Sequence, residues 1–219
     1  IYDAEETLSR TGDLPFYRDL PVMTFLAFSG SRRLAEAEKA EALEIVASEG
    51  GKVGPSTPMQ QWRATRYVSA SASWTEKGYF MDTVEVTLPW SHLVEGYERM
   101  REAVRATSAD AHFGAHWSHV YPDGACQYMT FRLPPMADEK ALPLHAAIWD
   151  ALQTIALDCG GSISHHHGVG VFRGKWMQRE HGAGLEILQA IKDVLDPDNL
   201  FNPGKLGLRR AEGAIIING

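Results

Sequence analysis

Phe80-Met81-Asp82-Thr83-Val84-Glu85-Val86-Thr87-Leu88 alternates apolar and polar residues and is rich in β-branched side chains. That is the pattern of a strand with one face in a core. Downstream, Ser91 stands as a helix cap, and Leu93, Val94, Tyr97, Met100 and Val104 form one face of a helix reaching about Thr107. Two further strands follow, roughly Ala111–Tyr121 and Ala125–Leu133, hinged at the turn Pro122-Asp123-Gly124. Asp138 opens a second helix with Leu142, Ile148, Trp149, Leu152 and Ile155 toward the core, ending at Gly160-Gly161. Ser162–His167 then reads as a short strand. The order strand, helix, strand, strand, helix, strand predicts an α+β fold, a ferredoxin-like split βαβ unit on an antiparallel sheet.

Upstream, the first twenty residues read as a lead-in. Leu20–Ser29 reads as a largely buried strand ending at Gly30, Ser31 as the cap of a helix to about Ser48 with Leu34, Ala37, Leu43 and Val46 as its stripe, and 51–65 as a Gly/Pro loop. This βα part could begin a second, duplicated unit. Downstream, Gly182-Ala183-Gly184 starts a last helix, about Leu185–Leu195, which Asp196-Pro197 halts. Asn199–Leu206 is expected to run extended. The expected organisation is one domain over 1–208 (a βα part at 22–65, the ferredoxin-like unit at 79–170, a helix and return segment at 180–208) and a tail at 209–219.

The 219 residues are 44% hydrophobic, 10% aromatic and 22% charged, ordinary values for a globular chain with a sizeable core. A net charge of -7 argues against nucleic acid as a partner. No apolar run approaches the ~20 residues of a membrane helix. The acidic start, Ile1 to Glu6, is not a signal peptide. Lacking an initiator Met, the chain reads as a fragment or processed product. Cys126 and Cys159 are too few for a disulfide scaffold and form no CxxC pair, which points to a reducing, cytoplasmic setting; a single bridge between them stays open.

The chemistry concentrates in His165-His166-His167-Gly168-Val169-Gly170. On a strand, His165 and His167 would share one face and His166 the other. Imidazole titrates nearest neutral pH and suits proton transfer. Gly168 and Gly170 let backbone approach a ligand closely, and Arg173 can grip a carboxylate or phosphate through two parallel hydrogen bonds. Together they describe a lining for an anionic or oxygen-rich small molecule. A surface histidine cluster is the plainer alternative, weakened because core elements flank the run. A metal bound by His165 and His167 with His116 or His119 is a second alternative. No acidic residue lies close in sequence to complete it, and no metal is expected. Tyr128, on the strand after the turn, is a candidate proton donor or acceptor, set against a tyrosine simply packed on the sheet. Neither a GxGxxG loop nor a Walker loop is present.

Gly160–Gly170, followed by Arg173, Lys175 and Trp176, resembles the active-site segment of alkyldihydroxyacetonephosphate synthases and their bacterial flavoprotein relatives. Ile191–Asn199 with Asn202-Pro203-Gly204-Lys205-Leu206 is similar to the closing signature of FAD-linked oxidases of the vanillyl-alcohol oxidase superfamily. Thr83–Trp90 and Ser118–Tyr128 also fit, and the resemblance covers about residues 60–208. It implies that FAD is held mainly by an upstream FAD-binding domain not contained in this chain, which would be the substrate-side cap. It further implies that Tyr128 transfers protons and that His165, His166 and His167 line the active site. His119 and Arg173 would then contact substrate, and Gly168, Gly170, Asn202 and Lys205 would lie toward the cofactor. Two departures matter. The metal-binding His-x-Gly-Asp-Gly-Asn-x-His run of glycolate and lactate dehydrogenases is replaced between His119 and Tyr128. The substrate arginine before the Val-Glu-Val strand is missing from Val68–Trp74, which puts a phosphate-bearing ether-lipid substrate in doubt.

The expected function is therefore the cap of an FAD-dependent oxidoreductase passing a hydride from a small hydroxylated or phenolic substrate to flavin, inactive as a separate piece. Two other classes stand beside it: an alkyl-exchanging transferase using FAD without net redox, and a non-enzymatic ferredoxin-like binding module. The partners expected are a small-molecule substrate and the N-terminal FAD-binding domain, with a homodimer open.

Overall fold

In the computed structural model, which describes residues 1–12, 14–18, 20–68 and 72–210, the chain divides into two units, residues 1–70 and 71–219. The first holds β1 (Tyr2–Asp3), α1 (Ala4–Thr11), β2 (Val22–Met23), α2 (Arg32–Ser48) and α3 (Thr57–Thr65). What reads as a lead-in is thus a strand and a helix. Asp3 accepts a hydrogen bond from the Glu6 backbone N–H at 2.8 Å, so Asp3-Ala4-Glu5-Glu6 is a capping sequence. β1 pairs antiparallel with β2, but only Val22–Met23 of the expected Leu20–Ser29 strand is extended and paired, and most of that stretch is exposed. α2 starts after Ser31 as expected, yet buries none of its residues within this chain. α3 replaces the second part, 57–65, of the expected 51–65 loop; Pro58 falls in its first turn, where a missing N–H costs nothing.

The second unit carries α4 (Ala72–Thr75), β3 (Phe80–Pro89), α5 (Leu93–Thr107), β4 (His112–Val120), β5 (Gly124–Leu133), α6 (Asp138–Asp158), α7 (Met177–His181) and α8 (Ala183–Leu195). β5 pairs antiparallel with both β3 and β4. A single antiparallel bridge, Thr87 to Ser162, adds the stub of a fourth strand on the far side of β3. Labelled in chain order, the four lie 2-3-1-4, the ferredoxin-like arrangement read from the sequence.

The period of two sorts the sheet. Val84, Val86, Leu88, Phe113, Ala115, Met129, Phe131 and Leu133 are buried in one core with Met100 and Val104 of α5 and Ile148, Leu152 and Ile155 of α6. Each such side chain contributes about 1.5–3 kcal/mol. Val94 and Leu142, expected on the inner faces of their helices, are 72% and 54% exposed. Ser91 lies in a 3₁₀ turn at Trp90–His92 rather than capping α5. Gly124 closes the hairpin: a Cβ there would lie 2.2 Å from the Leu88 carbonyl oxygen.

Two other expectations are corrected. Asn199–Leu206 does not run extended. Asn199, Asn202, Gly204 and Leu206 all adopt positive φ, and the Asp196 carboxylate accepts the Leu200 and Phe201 backbone N–H groups at 2.9 Å each, which folds the segment into turns. Cys126 and Cys159 are both buried and free, so the open question of a bridge is answered in the negative. Residues 69–71, within the stretch searched for a substrate arginine, and 211–219 of the tail lie outside the described residues. Among the described residues no helix is long and apolar enough to cross a membrane.

Candidate active site

Across the sheet from the helices, the strand register places Glu85, Tyr128 and His116 in one row of cross-strand neighbours, with Thr87, Cys126 and His119 in the next. The triple histidine lies over this face. It is not the strand its sequence suggests: after the Ser162 bridge, residues 165–167 form a bend. Two carboxylates explain the change by taking hydrogen bonds a ladder would need. Glu180 accepts from the Ser162 hydroxyl at 2.6 Å and the Ile163 N–H at 3.2 Å. Glu85 accepts from the Ser164 hydroxyl (3.0 Å), the His165 N–H (2.5 Å) and the His167 N–H (2.9 Å).

Glu85 is fully buried. A carboxylate so placed must find compensating donors, and Arg173 is the fourth, at 3.1 Å. Arg173 is 4% exposed, and its Nη1 also donates to Ser164 Oγ (2.8 Å) and the Gly168 carbonyl (2.7 Å). The grip that the sequence reading assigns to a bound anion is directed here at the protein's own Glu85 and loop. Glu85 went unrecognised in the sequence. The signal was a lone acidic residue between Val84 and Val86, which the alternation puts on the face away from the core.

Held this way, all three imidazoles gather on one side instead of alternating. Ring centroids of His165–His166 and His166–His167 are 5.2 and 4.5 Å apart. Tyr128 stacks on His116 at 4.6 Å, lies 5.9 Å from His166 and meets His167 edge-on at 5.2 Å. His119 sits 4.9 and 5.0 Å from His165 and His166. His165 bridges outward through two contacts, its Nδ1 to His166 Nδ1 at 3.0 Å and its Nε2 to the hydroxyl of Tyr121 at 2.7 Å. Burial and the neighbouring His167 push the pKa of His166 down, which favours the neutral, proton-accepting ring.

Ligand atoms of His119, Cys126, His165 and His166 lie within 4.8 Å of one another, a spacing that could hold a cation. Cys126, however, is pushed up to about 12 by burial and by Glu85, so a metal would have to displace its proton. The residues expected toward the cofactor fall in two linked places. Gly168 and Gly170, at positive φ, have open space where a Cβ would stand, so a planar ring has room to approach the loop backbone. The return segment is tied to that loop by the Leu206 N–H donating to the Gly170 carbonyl at 2.8 Å, which brings Lys205 beside it, while Asn202 lies a turn away and exposed.

The site is thus a ferredoxin-like sheet bearing a phenol among imidazoles, beside an open glycine platform. Over residues 2–206 the chain matches the family model of FAD linked oxidases, C-terminal domain, and it belongs to that family. FAD is accordingly the cofactor of the proteins in which such domains occur. An alkyldihydroxyacetonephosphate synthase of Caenorhabditis elegans is 34% identical over 137 residues, 59% of this chain and 23% of that protein. The corresponding Trypanosoma brucei brucei protein is 25% identical over 191 residues, covering 84% and 31%. The uncharacterized FAD-linked oxidoreductase YgcU of Escherichia coli O157:H7 is 26% identical over 224 residues, covering 94% and 45%. This chain thus spans less than half the length of these relatives. A solved alkyldihydroxyacetonephosphate synthase superposes with a TM-score of 0.50 at 17% identity, over 78% of this chain and 28% of that one, which shows likeness of fold.

Proposed function

We propose that the chain is the substrate-covering part of an FAD-dependent oxidoreductase acting on a small hydroxylated or phenolic molecule. The observation that carries this reading is the Tyr128 ring flanked by His116, His166 and His167. FAD, when bound, would supply the two-electron acceptor for the hydride of the substrate carbon. The residues of this chain handle the proton. A ring nitrogen of His166 takes it from the substrate hydroxyl, either directly or through Tyr128, whose phenol gives its own proton to His166 as it accepts the substrate's. From His166 it passes through His165 to the Tyr121 hydroxyl, which is 44% exposed and delivers it to water. Glu85 holds the loop so that these rings stay in register. Gly168 and Gly170 leave the approach to the flavin ring clear, and Asn202 and Lys205 stand on the side of the cofactor. His119 borders the substrate.

Tyr128→Phe in the FAD-loaded protein is expected to slow anaerobic flavin bleaching by a substrate alcohol about 10²–10⁴-fold, the usual worth of a general base. An unchanged bleaching rate refutes the role. The alkyldihydroxyacetonephosphate synthase relatives favour a second reading, exchange of an acyl for an alkyl group without net redox. Tyr128→Phe does not separate the two. A panel of alcohols and phenols that bleaches the flavin supports the oxidoreductase, and alkyl exchange without bleaching supports the transferase.

A further inference from the structure

Against the 167–173 segment lies a cavity of about 360 Å³, lined by Asp82, His145, Trp149, Phe172 and Arg173 together with His167 and Gly168 of the histidine loop. It sits at the edge of β3 that the aborted fourth strand leaves open. Its volume is within the range of small-molecule sites, and its polar groups are oriented.

Asp82 accepts three donors: His145 Nε2 at 2.7 Å, Trp149 Nε1 at 2.9 Å and the Thr83 N–H at 2.7 Å. Desolvation alone would raise its pKa, but these hydrogen bonds outweigh burial and hold the carboxyl below its usual range. An ionised Asp82 can only accept, so in the neutral imidazole the proton is fixed on Nε2 and Nδ1 becomes an acceptor. Among the described residues nothing donates to that Nδ1. The surroundings of His145 are aromatic: Phe80 at 5.1 Å, Phe131 at 5.7 Å and Phe172 at 5.9 Å, with Phe172 edge-on to Trp149 at 4.7 Å. Arg173, the one arginine or lysine in the cavity lining, has its charge met by the Glu85 carboxylate, and what it leaves over is a single buried Nε–H without a partner.

We infer that this cavity binds an uncharged aromatic ring that donates a hydrogen bond, a phenol or an indole, with its O–H or N–H given to His145 Nδ1. The inferred hydrogen bond uses none of Tyr128, His165 or His166, although His167 and Gly168 of the histidine loop form one wall of the cavity.

The test needs no cofactor. Ligand-observed NMR on the purified 1–219 chain compares phenol with anisole and indole with 1-methylindole, pairs that differ in the donor hydrogen, with benzoate as an anionic control. A hydrogen bond of ordinary strength predicts that phenol and indole bind about five- to tenfold tighter than their methylated partners, with intermolecular NOEs to Trp149 and Phe172. His145→Lys keeps a nitrogen donor toward Asp82 and offers no acceptor, so it should abolish the preference while leaving ring binding. Should that variant fold poorly, the ligand pairs on the wild-type chain decide alone. Equal binding within each pair overturns the inference, as does a preference for benzoate, NOEs confined to Tyr128 and His166, or no binding at millimolar ligand.

Discussion

Glu85 sets the geometry of the histidine loop, and its energetics can be isolated. Replacing the carboxylate leaves Arg173, itself 4% exposed, without its counter-charge. Glu85→Gln is therefore expected to destabilise the second unit by about 3–5 kcal/mol in denaturant unfolding, the range for breaking a buried pair. Adding Arg173→Met removes the stranded charge, so the double variant should lose less than the sum of the two single losses. Strictly additive losses would show that the pair is not coupled. Much at this scale was legible in the sequence. The residue types His165–His167, Tyr128 and His119 were picked out from the sequence and lie close together, but with His166 on the same side as its neighbours and not on the opposite face the strand reading gave it. What was not legible is which backbone groups Glu85 would satisfy, because that depends on a residue 80 positions upstream.

At the level of single elements, β4 carries a pH signature. Burial, and secondarily the charge of Arg132, lower His112 from 6.5 to about 4. In the unfolded chain this imidazole titrates near its ordinary value, so between about pH 6.5 and 4 the unfolded state binds the extra proton. Stability should therefore fall as pH drops through that window, by no more than ~3 kcal/mol from this group. Thermal melts of His112→Asn should show a flatter acid limb than wild type; parallel limbs would assign the loss to other groups. Turn chemistry offers a second check. In Gly124→Ala the new Cβ meets the Leu88 carbonyl at 2.2 Å, and a backbone atom cannot move aside cheaply. A loss of about 1–3 kcal/mol is expected, read as a lower urea midpoint at unchanged m-value. The elements with strong period and punctuation, β3, β4, β5, α5 and α6, were readable because the signals that mark them are local. Ser162–His167 misled because its strand pattern is overruled by two carboxylates from elsewhere. Leu20–Ser29 misled because an apolar run says nothing of whether a neighbouring strand will pair with it.

For the molecule as a whole, the prediction concerns what the chain does unaided. It spans 23–45% of the relatives compared and belongs to a C-terminal domain family. Purified 1–219 is accordingly expected to show no flavin absorption and no turnover. A yellow, active preparation would overturn the reading of this chain as the covering part. α8 and the turns after it expose Ile187, Ile191, Val194, Leu195, Leu200 and Phe201 at 51–81%. Single changes of Ile191 or Val194 to Lys should then shift chain stability by within about 0.5 kcal/mol, checked by chemical unfolding.

By itself the sequence determined the α+β class, the order of the ferredoxin-like elements and the residue types of the site, since hydrophobic period, turn residues and titratable side chains are written locally. Only the tertiary structure decided that the histidine run is a loop hung on Glu85, that Arg173 faces inward, and that Asp82, His145 and Trp149 line one open cavity. Those outcomes depend on hydrogen bonds between groups 63 to 88 residues apart, and a buried charge or donor selects its partner only once the surrounding core has excluded water.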